Sequence, residues 1–213
     1  MNNLQIISAC VLNSQHLVVK KGENFRQMKR DKNLTLTDWL NVLYKELEID
    51  YPKFYKMDNL SKTGFLASEY LLDNELITKE QMHPDGSIMM ANSVSSLDTD
   101  KKFAQTIAKN DDFFPSPAIF VYTLPNLVAA EIAIRQRFTG NTTFWVAPAL
   151  NTGIMQNMVL YAFSHSQTQQ LIWAWMEYCQ EILDIKMLYI KKIDKQCMNF
   201  TKLTPEIFNF LEI

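Results

Sequence analysis

Glycine is scarce in this sequence, and its scarcity excludes a class of ligand sites. The 213 residues contain five glycines, at Gly22, Gly64, Gly86, Gly140 and Gly153. Loops that cradle phosphates need closely spaced glycines, because a side chain would keep the backbone away from the ligand. Neither GxGxxG nor GxxxxGK[ST] occurs. The common glycine-rich nucleotide loops are therefore excluded.

Cysteine and histidine are also few, and their spacing fits no zinc site. The chain has Cys10, Cys179 and Cys197, and His16, His83 and His165. No pair has the CxxC or CxxH spacing of zinc ligands, and an odd number of scattered thiols is typical of a reducing compartment. We therefore expect free thiols, no metal, no cofactor and a cytoplasmic location.

Long apolar runs and an excess of one charge are missing as well. No apolar stretch reaches the roughly 18 residues that a membrane-spanning helix needs, and the net charge is only −2. The near balance of charges argues against a nucleic-acid surface or a polybasic membrane patch. Residues 7–10, ISAC, mimic a lipoprotein cleavage box, but no basic residue and too short an apolar segment precede them. We interpret this stretch as a buried first strand.

Apolar periodicity predicts alternating strands and helices, which is typical of a layered α/β domain. The predicted strands are Gln5–Leu12, Leu17–Val19, Ser87–Val94, Thr142–Ala147, Leu171–Tyr178 and Lys186–Ile193. The predicted helices are Leu34–Ile49, Asp58–Leu72, Thr99–Asn110, Thr123–Phe138, Asn151–Phe163 and a last one opening at Thr204. The first two strands are expected to form a hairpin, and the charged stretch 22–33 to be a loop. No linker or repeat is present, so one domain is expected.

Two of these elements carry detailed signals. For the helix Thr123–Phe138, Thr123 suits the N-cap, Pro125 lies in the first turn, and Gly140 follows as the residue after the C-cap. The segment Leu171–Tyr178, LIWAWMEY, is almost continuously apolar. That pattern predicts a strand buried on both faces in the middle of a sheet.

The stretch from Phe120 to Gly153 raises a functional question. It reads as a helix, a glycine turn, an apolar strand and the start of another helix. Enzymes often place a nucleophile where such a strand ends and such a helix begins. Pro148, Ala149 and Leu150 occupy that position, and none of them is a nucleophile.

Three segments together resemble the β-ketoacyl synthases. KMDNLSKTGFLASEYLL, residues 56–72, resembles the helix that opens the core of these enzymes. Residues 115–146 resemble the segment before their nucleophile, and LIWAWMEY resembles the strand after the nucleophile helix. The resemblance covers about residues 5–178 in preserved order. It leaves residues 179–213, where we expect a C-terminal strand and helix, outside it.

The resemblance implies a fold without catalytic machinery. It implies half of a thiolase-like fold, a layered mixed β-sheet with helices packed on it, as a single β-ketoacyl synthase N-terminal-like domain over residues 1–213. In the family the nucleophilic cysteine lies at the strand-to-helix elbow. The two catalytic histidines lie in a second half-domain. Here the elbow falls at Pro148, Ala149 and Leu150, and is interpreted as vestigial.

The resemblance also implies an interface. In the family the strand before the elbow pairs across a two-fold axis. The corresponding residues here are Thr142, Thr143, Phe144, Trp145 and Val146.

Three functions remain open at this point. The first is a non-catalytic partner of a ketosynthase or an acyl carrier protein, or of a second copy, in bacterial fatty-acid, polyketide or aryl-polyene biosynthesis. The second is an acyl-thioester enzyme that a partner or a relocated residue completes. The third is a small-molecule binder whose pocket, lined by methionine and aromatic side chains, holds an acyl or polyene chain.

Overall fold

The computed structural model describes residues 4–72, 76–108, 115–180 and 182–193. The strands are β1 Leu4–Asn13, β2 His16–Lys21, β3 Asn24–Lys29, β4 Gly86–Asn92, β5 Thr142–Val146, β6 Gln170–Cys179 and β7 Ile182–Lys192. The helices are α1 Leu36–Glu46, α2 Asn59–Leu71, α3 Leu97–Ile107, α4 Pro117–Val121, α5 Leu127–Gln136 and α6 Thr152–His165. A short 3-10 helix spans Pro52–Lys56.

All seven strands form one mixed sheet, in the order β3-β2-β1-β7-β6-β4-β5. β4 pairs in parallel with β5 and with β6, whereas the other neighbours are antiparallel. The predicted hairpin of β1 and β2 is present, and the Asn13 side chain closes it by accepting from the backbone N–H groups of Gln15 and His16. β6 lies inside the sheet and is buried along nearly its whole length, as the sequence predicts.

Helices cover both faces of the sheet, so the predicted layered α/β fold is confirmed. Residues of α1, α2 and α5 form a core with one face. Among the described helices, α6 packs on the other face. α2 starts where predicted, because the Asp58 side chain accepts a hydrogen bond from the backbone N–H of Ser61. It is buried on almost all sides, which makes it the central helix of this layer.

A buried carboxylate ties α2 to α5. Glu69 in α2 receives two hydrogen bonds from Arg135, of 3.1 and 2.8 Å, and two of 2.9 Å from Lys79. The Gln136 side chain donates another, of 2.6 Å. Burial disfavours the charged carboxylate, but these donors and charges outweigh it and hold the pKa of Glu69 below its usual range. The network fixes the helix that leads into β5.

The charged stretch after Gly22 is a strand, and the loop prediction for residues 22–33 was wrong. β3 pairs with β2 along its whole length. Its sequence, NFRQMK, shows no apolar alternation because most of its side chains are exposed at the sheet edge. Pairing with a buried neighbour, which sequence periodicity does not reveal, decides the conformation of this stretch.

The predicted boundaries of α5 were also wrong. Thr123 and Pro125 lie in turns, and the helix begins only after Asn126. At the other end, Arg137 takes the left-handed conformation with φ 55°. Gly140 serves a different purpose: its N–H donates to the carbonyl oxygen of Gly86, and a Cβ there would lie 2.5 Å from that oxygen. The glycine permits this close backbone approach.

Other ends differ by a few residues. α1 is shorter than its prediction and is capped by Thr35, and β7 starts four residues before Lys186 because it forms a long hairpin with β6. Gln180 takes a positive φ of 57° in that hairpin. The predicted helix opening at Thr204 and the third thiol, Cys197, lie outside the described residues.

Candidate functional site

The predicted interface strand is an edge strand of the sheet. β5 pairs with β4 on one side and ends the strand order on the other. Toward β4, the Asn141 carbonyl accepts from Ile88, and the Ala147 N–H donates to Asn92. Backbone groups alternate in direction along a strand. The N–H and C=O groups of Thr142, Phe144 and Val146 therefore point away from the sheet, at its open edge.

The two edges of the sheet differ in charge. β5, with the sequence TTFWV, carries no charged residue, whereas β3 at the opposite edge carries Arg26 and Lys29. Charged residues on an edge strand discourage pairing with another chain. β3 is protected in this way, whereas no described strand pairs with the outer side of β5.

The strand-to-helix connection follows directly after β5. Pro148, Ala149 and Leu150 lie between the end of β5 and the start of α6, as the sequence predicts for their position in the chain. The Asn151 side chain accepts from the backbone N–H of Ile154 at 3.0 Å and so starts α6. This arrangement presents proline and aliphatic side chains, which cannot act as a nucleophile or a base.

An apolar groove of about 380 Å³ opens beside this connection. It lies between the sheet and the first two turns of α6. Its lining consists of Ala91, Trp145, Val146, Ala147, Pro148, Ala149, Leu150, Asn151, Ile154, Met155, Met158, Trp173 and Trp175. None of these is charged. A volume in this range suits a small molecule or part of a chain.

The sequence predicted only part of the groove lining. It drew attention to Pro148–Leu150 and to β5, but Ala91, Trp173 and Trp175 come from β4 and β6. Trp173 and Trp175 are two residues apart in a strand, which puts both on one face. That spacing was a signal, but which neighbours they meet depends on the strand order.

The described thiols and imidazoles lie away from the groove lining. Cys10 is fully buried in β1, where burial raises its pKa to about 12 despite the nearby charge of Lys21. His16 contacts Asn13 in the first hairpin, and His83 contacts the Thr78 carbonyl. His165 ends α6, so the 14-residue helix puts it roughly 20 Å from the Pro148–Leu150 connection. No reactive pair forms around the connection within the described ranges.

The described residues form neither a metal-ligand cluster nor a membrane-spanning helix. No group of three or more His, Cys, Asp or Glu side chains comes together as a metal site in this part of the chain. No helix there is long and apolar enough to cross a bilayer.

Comparison with known proteins links the fold to ketosynthases. No protein-family model and no curated protein matches the sequence. Among solved structures, the ishigamide ketosynthase/chain length factor superposes with a TM-score of 0.62 at 12% identity, over 89% of this chain and 62% of that chain. A ketosynthase, ApeO, in complex with its chain length factor, ApeC, from Xenorhabdus doucetiae gives a TM-score of 0.52 at 12% identity. The chain has a ketosynthase-like thiolase fold.

Coverage differs between the ketosynthase structures. This chain spans 62% of the matched chain of the ishigamide protein. It spans 63% of the matched chain of AntDE:AntF, a type II acyl carrier protein in complex with its ketosynthase. The latter has a TM-score of 0.59 at 10% identity over 90% of this chain. In the Xenorhabdus complex, 99% of this chain covers 90% of the matched chain. That matched chain is therefore close to this one in length. Identities this low establish the fold, and function must be argued from the site.

Proposed function

We propose that this protein is a non-catalytic, ketosynthase-like partner subunit that associates through the open edge of β5. The observation that carries the proposal is the combination of an uncharged strand, which ends the sheet among the described strands, with a strand-to-helix connection that has no reactive side chain. The ketosynthase structures with the same fold include complexes with a chain length factor and with an acyl carrier protein. We extend this to bacterial fatty-acid, polyketide or aryl-polyene biosynthesis as the setting.

The missing nucleophile favours a partner over an enzyme. In a serine protease, removal of the nucleophile costs about 10⁶-fold in kcat, and Pro148, Ala149 and Leu150 offer no substitute. A relocated thiol is the alternative. Cys10 is unsuited to it, because a nucleophilic thiol needs a lowered pKa and access to solvent, and burial gives Cys10 the opposite of both.

The open edge supplies the physical reason for association. The N–H and C=O groups of three alternate residues, Thr142, Phe144 and Val146, point outward and pair with no described strand, so a strand of another subunit could bind them. The side chain of Val146 is also exposed, with 57% of its residue surface accessible. Addition of a strand would continue the sheet and bury apolar side chains next to it. A second copy, a ketosynthase or another subunit of the same fold would each offer such a strand.

The decisive experiment is size-exclusion chromatography with light scattering. The protein is run alone, then mixed with a ketosynthase and an acyl carrier protein from the same organism. A stable complex with the ketosynthase, or a homodimer, is the expected result. A monomer that binds neither protein would overturn the partner proposal and shift the function to the groove.

The groove supports a second candidate function, the binding of an apolar chain. Its lining contains three tryptophans and two methionines and lacks charge, and methionine adapts readily to irregular apolar ligands. This fits an acyl or similar chain. Isothermal titration with stearic acid tests it, and the absence of binding would contradict it.

A further inference from the structure

A tryptophan–alanine–tryptophan row crosses three neighbouring strands in the groove. Ala91 of β4 pairs with Trp145 of β5 on one side and with Trp175 of β6 on the other. Residues directly paired in a sheet project to the same face. All three line the groove. A small residue is thus flanked at the same level by two indole rings.

The spacing of this row matches one flat group. Neighbouring strands lie about 4.8 Å apart, so the two tryptophan backbones are roughly 10 Å apart. Side chains stand nearly perpendicular to a sheet. Stacked aromatic groups have centroids about 4.5–7 Å apart, so a gap of this width holds one planar ligand in contact with both rings. Ala91 is the small residue between the two tryptophans.

The rest of the lining sets the polarity of the ligand. Ile154, Met155 and Met158 of α6 face the row across the groove. Asn151 is the polar member of the lining, and its side-chain oxygen already accepts the N–H of Ile154. Nothing in the lining compensates a charge, so the part of a ligand over Ala91 must be neutral.

We propose that the groove selects flat, conjugated or aromatic chains over saturated chains of the same length, and that it holds them over Ala91 between Trp145 and Trp175. The inference rests on the proposed binding of an apolar chain by the groove and names the class of chain. A saturated chain gains burial alone, whereas a conjugated chain also stacks on the two indoles. Two stacking contacts raise affinity by about tenfold.

The test compares two fatty acids of equal length. Parinaric acid is a conjugated tetraene that accepts energy from tryptophan, so quenching of protein fluorescence reports its binding. Stearic acid is its saturated counterpart and is measured by calorimetry and by displacement of parinaric acid. Both carry a carboxylate, so its contribution cancels in the ratio of affinities. We expect parinaric acid to bind about tenfold more tightly.

Three variants locate the selectivity. Trp145→Leu removes one wall of the row, and Ala91→Leu enlarges the small residue between the two tryptophans; each should reduce the ratio of affinities toward one. Trp39→Phe is the matched control, because Trp39 lies in α1 in the core of the opposite face. It should leave the ratio unchanged. Trp145 is half-buried in an edge strand, so Trp145→Leu gives a folded comparison even where Ala91→Leu loses stability. Circular dichroism melting verifies the fold of each.

The outcomes separate the two proposals. Equal affinity for both acids in the wild-type protein would overturn the selectivity but leave chain binding intact. Binding of neither acid would overturn chain binding by the groove and, with it, this inference. A preference for parinaric acid that survives Trp145→Leu and Ala91→Leu would place the selective site elsewhere and also overturn the proposal.

Discussion

Gly64 marks the closest approach of α2 to its neighbours. A Cβ at this position would overlap the methyl groups of Val128 in α5 and Met176 in β6. The absence of a side chain lets α5 and the sheet pack directly against α2.

We expect Gly64→Ala to destabilise the protein by about 1–3 kcal/mol, because the added methyl group overpacks the core. Urea unfolding measures the change. Gly153→Ala is the control: its nearest neighbour, the Asn151 side-chain oxygen, would lie at an ordinary 3.5 Å. That variant should be neutral or slightly stabilised. Equal urea midpoints for Gly64→Ala and the wild type would contradict the close packing.

Glu69 is the second residue on which the architecture depends. Glu69→Gln removes the negative charge that Arg135 and Lys79 share, and leaves two cations without their partner. Breaking a buried ion pair costs about 3–5 kcal/mol. Glu46→Gln is the control, since Glu46 pairs with Arg26 at the exposed surface, where an ion pair contributes about 0–1 kcal/mol. Unfolding free energies at neutral pH measure both.

The same carboxylate predicts a pH dependence. The pKa of Glu69 is lower in the folded protein than in the unfolded chain, where it is about 4.3. Its stabilising contribution is therefore complete above that value and is lost as the pH falls through the folded pKa. Wild-type stability should fall more steeply than that of Glu69→Gln below about pH 4.3. Parallel pH profiles for the two proteins would contradict the assignment.

At the scale of elements, the two edge strands are predicted to behave differently. β5 and β3 each end the sheet, but only β3 carries charge. The pairing of β5 with β4 determines which backbone groups of β5 point away from the sheet. The sequence of β5, TTFWV, leaves that edge without charge. Together they support the proposal that β5 is the association edge.

Thr142→Lys should abolish association through β5, because a lysine at the edge must be desolvated when another strand pairs there. The apparent dissociation constant should rise at least tenfold in light scattering across a dilution series, while the melting temperature stays unchanged. Asn24→Lys introduces the same charge at the start of β3 and should leave association unaffected. If both variants behave alike, the interface lies elsewhere.

At the scale of the whole molecule, Cys10 reports on global unfolding. It is fully buried in a central strand with a pKa of about 12, so alkylation requires the sheet to open. In a Cys179→Ser, Cys197→Ser background, iodoacetamide should label Cys10 slowly at pH 8 and quickly in urea. Labelling should accelerate when Glu69→Gln is added. Rapid labelling of the native protein would instead favour the enzyme that uses a relocated thiol.

The sequence predicted most elements of the fold but missed or misplaced several. Asp58 caps the helix that it was expected to start, because capping depends on a few adjacent residues. The strand β3 and the start of α5 were mispredicted, because the pairing of β3 with β2 and the turns around Pro125 override local pattern. The spacing of Trp173 and Trp175 indicates that both lie on one face of a strand. The sequence does not show that they lie near Trp145.

By itself, the sequence determined the layered α/β class, the buried central strand and the unreactive connection at Pro148–Leu150, because these depend on residue type, periodicity and local capping. Only the tertiary structure decided that β5 is an edge and that Ala91 lies between Trp145 and Trp175. Strand order and register join residues that are far apart in the chain. Local periodicity does not contain that information, because it is set by which strands pair as the whole core packs.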